Sequence, residues 1–334
     1  MSPRILFIAN AGPSVGGGHV MRSLTLARAL QVEGATCAFA ATPEVAAVLD
    51  AFAPDMPKAP AESTGGGFDA VVLDHYDLSA DDQHRLAAGR PALVIDDLAD
   101  RPLAADIVLD PEPVRLAEHY AGLVPAETEL LLGPAFAPVR PAFAERRSQA
   151  LAARAGRPPR RVLVSLGLTD VGGITGRVVN LLRPLARDLA LDVVVGAGAA
   201  SLPALRTQEG PSLALHVDTK DMASLIANAD LAIGAGGSSA WERCVLGLPS
   251  LCLVLADNQV DTAHALEANG AAVSLDVRSP DFDALFADAF SDLITAPDRL
   301  ARMSQAAASL CDGLGAPRVA RRLLAQVRQS RPPP

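Results

Sequence analysis

One stretch of this chain limits its fold more than any other. Residues 229–259 begin apolar and pass through Gly234-Ala235-Gly236-Gly237-Ser238-Ser239 into Trp241-Glu242-Arg243-Cys244. They then run through a second apolar segment to Asp257-Asn258-Gln259. The run 229–233 has the length of a buried strand, 238–246 reads as a helix stopped by Gly247 and Pro249, and 250–256 reads as the next strand. Strand, glycine turn, helix and strand in succession make the unit of a parallel α/β sheet.

The same order has chemical content. Unpaired N–H groups at a helix start and the positive end of its dipole attract anions. Gly236 and Gly237 carry no Cβ to hold a phosphate off, and Ser238 and Ser239 add hydroxyl donors. Glu242 lies four residues after Ser238, on the same helix face, where a carboxylate can accept from ribose hydroxyls. The competing reading is a buried helix start whose small residues serve packing alone.

The alternation extends along the chain. Strands are expected at 4–9, 36–41, 70–74, 92–95, 107–109 and 129–132, with helices at 18–33, 43–52 and 79–88 and a loop over 53–67. Residues 134–143 contain three prolines and read as an extended crossing, followed by a polar helix at 145–155 and a basic, solvated run at 157–161. The pattern then restarts, with strands at 161–166, 191–195, 213–217 and 271–274 and a glycine loop at 167–173. Helices are expected at 174–189, 202–207, 222–229 and 260–269; two or three more fill the remainder, and the tail from Gln329 is expected to fray. The fold class is therefore α/β: two Rossmann-like domains, 1–143 and 144–334, facing across a cleft, with the last helix packing back on the first domain. Ligands of such sheets bind at the carboxyl ends of the strands.

A formal net charge of −9 argues against nucleic-acid binding as the main task, though not against a single nucleotide. The four scattered cysteines, Cys37, Cys244, Cys252 and Cys311, form no C-x-x-C pair, and the N-terminus has no signal-peptide pattern, so a cytoplasmic protein with reduced thiols is expected. The longest apolar run is broken by Gly247 and Pro249, and no membrane insertion is expected.

A second glycine loop, Gly16-Gly17-Gly18-His19, follows the first strand and opens the first helix. A histidine at a helix N-terminus tends to stay neutral and can act as a base, or it can make a structural bond there. On the residues alone both readings stand.

Taken together these segments resemble a known family. Gly16 to Arg22 with Leu24, Leu26 and Ala27, Asp74-His75-Tyr76, Ile95 to Ala99, Gly133-Pro134 with Arg140-Pro141 and Phe143, and Asp221 through Gln259 are similar to the UDP-sugar hydrolases of pseudaminic acid biosynthesis. That resemblance implies a GT-B fold, akin to the transferase that adds N-acetylglucosamine to the lipid-linked peptidoglycan precursor. It implies hydrolysis of UDP-2,4-diacetamido-2,4,6-trideoxy-β-L-altrose at C1 with inversion, with a UDP-sugar as the partner molecule and no metal or redox cofactor. Gly236, Gly237, Ser238, Ser239 and Glu242 would hold UDP; His19, Tyr76 and Asn258 would be catalytic; Gly17, Gly18, Arg22, Asp257 and Gln259 would line the sugar side. The chain departs from the family pattern at Ile8, Asn10, Gly167 to Val171 and Pro111-Glu112, positions that bear on the sugar rather than on UDP. A GT-B transferase with the same UDP site, a UDP-sugar 2-epimerase and a nucleotide-sugar binding module are the alternatives.

Overall fold

A computed structural model describes residues 2–12, 17–154 and 157–330. Gly16 and the tail beyond Ser330 lie outside the described residues. The chain divides into two compact units, Met1–Val139 with Leu314–Pro334, and Arg140–Gly313.

The first unit carries β1 (Arg4–Ala9), α1 (Gly18–Val32), β2 (Thr36–Ala40), α2 (Pro43–Phe52), β3 (Lys58–Ala59), β4 (Ala70–Asp74), α3 (Ala80–Ala87), β5 (Ala92–Ile95), β6 (Ile107–Asp110) and β7 (Glu129–Leu132). Its sheet is parallel in the order β3-β2-β1-β4-β5-β6-β7. β4, β5 and β6 are buried at every position, as strands covered on both faces must be. Thr42 and Ser79 cap α2 and α3 through their hydroxyls, which explains where those helices begin.

The second unit carries α4 (Pro141–Arg154), β8 (Arg161–Ser165), α5 (Ile174–Leu185), β9 (Ala190–Val195), α6 (Leu202–Arg206), β10 (Leu213–Val217), α7 (Met222–Asn228), β11 (Leu231–Ala235), α8 (Ser239–Val245), β12 (Ser250–Val254), α9 (Val260–Ala268), β13 (Ala272–Asp276), α10 (Phe282–Ile294) and α11 (Pro297–Leu310). Its sheet is also parallel, in the order β10-β9-β8-β11-β12-β13. The last helix, α12 (Gly315–Ser330), belongs to the first unit, where Val319, Ala320, Leu323, Leu324 and Val327 join the core that contains Leu26 and Leu30 of α1.

Four local expectations are revised. The loop over 53–67 contains the two-residue edge strand β3. The proline-rich crossing is not extended throughout: Pro134–Phe136 form a 3-10 turn, and α4 starts at Pro141, because proline suits a first helical position. The basic run after α4 is only partly solvated, since Asp230 accepts from Arg157 Nη2 at 2.6 Å and from the Arg160 and Arg161 amides. α5 ends at Leu185, just after Pro184, four residues before its expected end.

In each sheet the order reverses once, between β1 and β4 in the first unit and between β8 and β11 in the second. A crevice opens at the carboxyl ends of strands where the order reverses, and open α/β sheets bind ligands there. His19 and Asp74 stand at the first of these points, and the turn after β11 stands at the second.

Candidate functional site

In the first unit, β4 ends on a carboxylate. Asp74 is fully buried and is surrounded by donors from one face of α1. Its Oδ1 accepts from Arg22 Nη2 at 2.7 Å and lies 2.5 Å from His19 Nδ1. Its Oδ2 accepts from Arg22 Nε at 2.8 Å and from the Ser23 hydroxyl at 3.0 Å. Burial alone would push this carboxyl up, but Arg22 and His19 hold it well below the usual carboxylate range. An ionised carboxylate only accepts, so His19 donates from Nδ1 and keeps Nε2 as the basic nitrogen. The 3.3 Å approach of Arg22 Nη2 to His19 Nδ1 is the longer side contact of a guanidinium already bonded to Asp74.

Arg22 extends the arrangement by donating through Nη1 to Asp97 Oδ2 at 2.8 Å. Tyr76 presents its ring to His19 edge to face, with centroids 4.6 Å apart. Burial and then the Asp97 charge push the Tyr76 phenol up, so it remains a neutral O–H group at neutral pH. Beyond Asp97, the Tyr120 hydroxyl lies 2.9 Å from Asp96 Oδ2 and 2.7 Å from Asp110 Oδ2, and Arg115 Nε donates to Asp110 at 2.7 Å. Burial pushes the Asp110 carboxyl up to about 6. Gly17 is the N-cap of α1 and accepts from the Met21 amide, while Gly18 is exposed at the first position of that helix.

In the second unit, Gly236 and Gly237 follow β11, and α8 begins at Ser239 with Ser238 as an exposed N-cap that makes no side-chain capping bond. A Cβ on Gly237 would meet nothing within 4 Å, whereas one on Gly236 would lie 2.9 Å from the Gln259 carbonyl. Gly237 is thus open to a ligand, and Gly236 is glycine because the backbone at Gln259 packs against it. The amides of Gly237, Ser238 and Ser239 donate to no acceptor among the described residues. Glu242 Oε1 accepts from Arg140 Nε at 3.1 Å and Nη2 at 2.8 Å. Arg243 is buried beneath the turn and donates to Ser250 Oγ, Ser239 Oγ and the Ala235 carbonyl.

Asp257, Asn258 and Gln259 form a 3-10 turn after β12. Asp257 is exposed and pairs with Arg278 at 2.5 Å, Gln259 Oε1 accepts from the Leu255 amide at 3.1 Å, and Asn258 is exposed. The structure therefore gathers His19, Tyr76 and Arg22 around Asp74 in one unit. It gathers Gly236, Gly237, Ser239 and Glu242 along one turn and helix in the other.

Asp74, Asp97, Arg140 and Arg243 received no role from the sequence. Asp74 had a legible signal, a charged residue closing an otherwise apolar strand. Arg140 and Arg243 had none. Arg140 is 102 residues from its partner, and Arg243 reads in one dimension as one more charge on a surface helix.

No family model matches this chain. The chain is 23% identical over 280 residues to the UDP-2,4-diacetamido-2,4,6-trideoxy-beta-L-altropyranose hydrolase of Campylobacter jejuni, covering 80% of this chain and 97% of that protein. It is 34% identical over 173 residues to the UDP-N-acetylglucosamine--N-acetylmuramyl-(pentapeptide) pyrophosphoryl-undecaprenol N-acetylglucosamine transferase of Salinibacter ruber, covering 50% of this chain and 46% of that protein. Among solved structures, Acinetobacter baumannii MurG superposes with a TM-score of 0.68 at 18% identity, covering 97% of this chain and all of MurG. With two parallel Rossmann-like sheets matching such structures, the chain has the GT-B fold.

Proposed function

We propose that the chain is a nucleotide-sugar enzyme that hydrolyses a UDP-linked 2,4-diacetamido-2,4,6-trideoxy sugar at C1 with inversion. The observation that carries this reading is the 2.5 Å contact between His19 Nδ1 and the buried, ionised Asp74, which leaves Nε2 as a base. The similarity to the Campylobacter jejuni hydrolase over nearly its whole length supports the same choice of reaction.

In this reading Nε2 of His19 takes a proton from water as the water oxygen bonds to C1. The C1–O bond to UDP breaks, and UDP leaves with the bonding electrons. Asp74 holds the imidazole in one tautomer and stabilises the imidazolium that forms, as the acid of a hydrolase triad does. Tyr76, a neutral donor against the His19 ring, orients the water or an acetamido group. In the second unit, the open amides after Gly236 and the hydroxyls of Ser238 and Ser239 would hold the diphosphate and stabilise the charge it gains. Glu242 would accept from the ribose hydroxyls, and the exposed Asn258 amide would meet an acetamido group. Gly17, Gly18, Arg22, Asp257 and Gln259 are assigned to the sugar side, Arg22 acting through Asp74 and Gln259 through the backbone it holds.

The test is UDP release from UDP-2,4-diacetamido-2,4,6-trideoxy-β-L-altrose by purified protein in EDTA without an acceptor, with NMR of the sugar. Release of a free sugar inverted at C1 is the expected result. Release only when a sugar or lipid acceptor is added would replace hydrolysis by glycosyl transfer, the reading that the similarity to the Salinibacter ruber transferase favours.

A further inference from the structure

Arg243 is 3% exposed, and its guanidinium bonds three neutral oxygens: Ser250 Oγ from Nε at 3.1 Å, Ser239 Oγ from Nη1 at 3.2 Å and the Ala235 carbonyl from Nη2 at 2.8 Å. Among the described residues no carboxylate forms an ion pair with it. The other buried arginines are compensated. Arg22 has Asp74 and Asp97. Arg154 donates to carbonyls at the ends of α7 and α8, which are the negative poles of those helices. A buried cation with only neutral partners is costly unless an anion completes its surroundings.

The position of this cation is specific. A Cβ on Gly234 would stand 2.5 Å from Nη1 and 2.6 Å from Cζ, so the guanidinium lies against the last residues of the β11 backbone and any side chain at position 234 would displace it. Because Ser239 Oγ accepts from Arg243, its own hydrogen points elsewhere, and it donates to no acceptor among the described residues. The amides of Gly237, Ser238 and Ser239 also lack protein acceptors among those residues. The turn 235–239 thus carries several donors without a protein acceptor among the described residues, next to a buried positive charge.

We infer that Arg243 is a positioning residue for a diphosphate held in this turn: it supplies the buried counter-charge and aims the Ser239 hydroxyl at a phosphate oxygen. The inference rests on the reading of this turn as the UDP site. It explains how a chain of net charge −9 can hold a diphosphate without a surface cation at the turn.

The test is calorimetric binding of UDP and of uridine to the wild type, Arg243→Lys, Arg243→Met, Ser239→Ala and the Ser239→Ala/Arg243→Met double variant. Arg243→Met is expected to weaken UDP about tenfold or more while uridine changes less than about twofold, with Arg243→Lys between the two. Ser239→Ala is expected to weaken UDP about threefold to tenfold in the wild-type background and far less beside Arg243→Met. Equal losses for UDP and uridine, or the same Ser239→Ala effect in both backgrounds, would reduce Arg243 to a pin between β11, β12 and α8 and overturn the inference. Should Arg243→Met not fold, as read by circular dichroism, Ser239→Ala decides alone: unchanged UDP affinity refutes the aimed hydroxyl. A wild type that binds no UDP defeats the underlying reading before any substitution is made, and the inference with it.

Discussion

Asp74 and His19 are 55 residues apart in sequence and 2.5 Å apart in the structure, joined at the point where the first sheet reverses its strand order. The carboxylate is ionised because Arg22 grips both of its oxygens, and the ionised carboxylate in turn selects one histidine tautomer. If Nε2 of His19 is the base, His19→Ala lowers the rate of UDP release by about 10²–10⁴ while the protein stays folded. Asp74→Asn lowers kcat with a smaller change in KM, since it disturbs the tautomer and leaves the substrate contacts in place. Single-turnover kinetics on both variants checks this, and wild-type rates in His19→Ala would remove the histidine from the mechanism.

The same pair makes an acid-stability prediction. Asp74 has a folded-state pKa below its unfolded value, so its contribution to stability is complete above the unfolded value of about 4 and is lost as pH falls further. Denaturant midpoints measured from pH 6 down to pH 2 should fall more steeply for the wild type than for Asp74→Asn. At neutral pH the variant should already be less stable by about 3–5 kcal/mol, because Arg22 then loses a buried partner.

Asp110 behaves in the opposite sense. Burial raises its carboxyl from 3.8 to about 6, so the folded protein binds this proton more tightly than the unfolded chain. Its favourable contribution is complete below the lower value and is lost as pH rises through the upper one. Asp110→Asn should flatten the stability profile between about pH 4 and pH 6, a change read by urea titration across that range. A profile that keeps its slope in the variant would assign the proton to another group.

Glu242 has one carboxylate oxygen already taken by Arg140. Under the proposed role at the ribose, Glu242→Ala should weaken uridine and UDP by similar factors, about tenfold to a hundredfold, because hydrogen bonds to a carboxylate are worth about 1.5–3 kcal/mol each. Arg140→Ala should weaken both less, since it frees the carboxylate without deleting it. Titration calorimetry distinguishes these outcomes from a loss confined to UDP, which would move Glu242 away from the ribose.

The start of α12 offers a test of the first unit's architecture. A Cβ at Gly315 would fall 2.2 Å from the Ala137 carbonyl oxygen and 2.4 Å from the Phe136 carbonyl carbon, both backbone atoms that cannot swing aside. Gly315→Ala should destabilise the protein by about 1–3 kcal/mol, seen as a lower midpoint in chemical denaturation. An unchanged midpoint would mean that α12 shifts without cost.

By itself the sequence determined the α/β class, the extent of most elements and the residues near each strand end. These follow from local rules: apolar runs of strand length, Pro43 at a helix start, Ser79 as a cap, and glycines that end helices. It also singled out His19 and the turn 236–239, because glycine-rich loops at strand ends are visible in one dimension, and Tyr76 through the family resemblance. Only the tertiary structure decided the partners. Asp74 meets Arg22 and His19 because β4 lies beside β1, an adjacency that depends on the order in which strands pair. Arg140 finds Glu242 across 102 residues, and the guanidinium of Arg243 turns inward under Gly234 because that glycine leaves room for it. Periodicity records which face of an element is buried; it carries no information about which distant charge will be buried beside it.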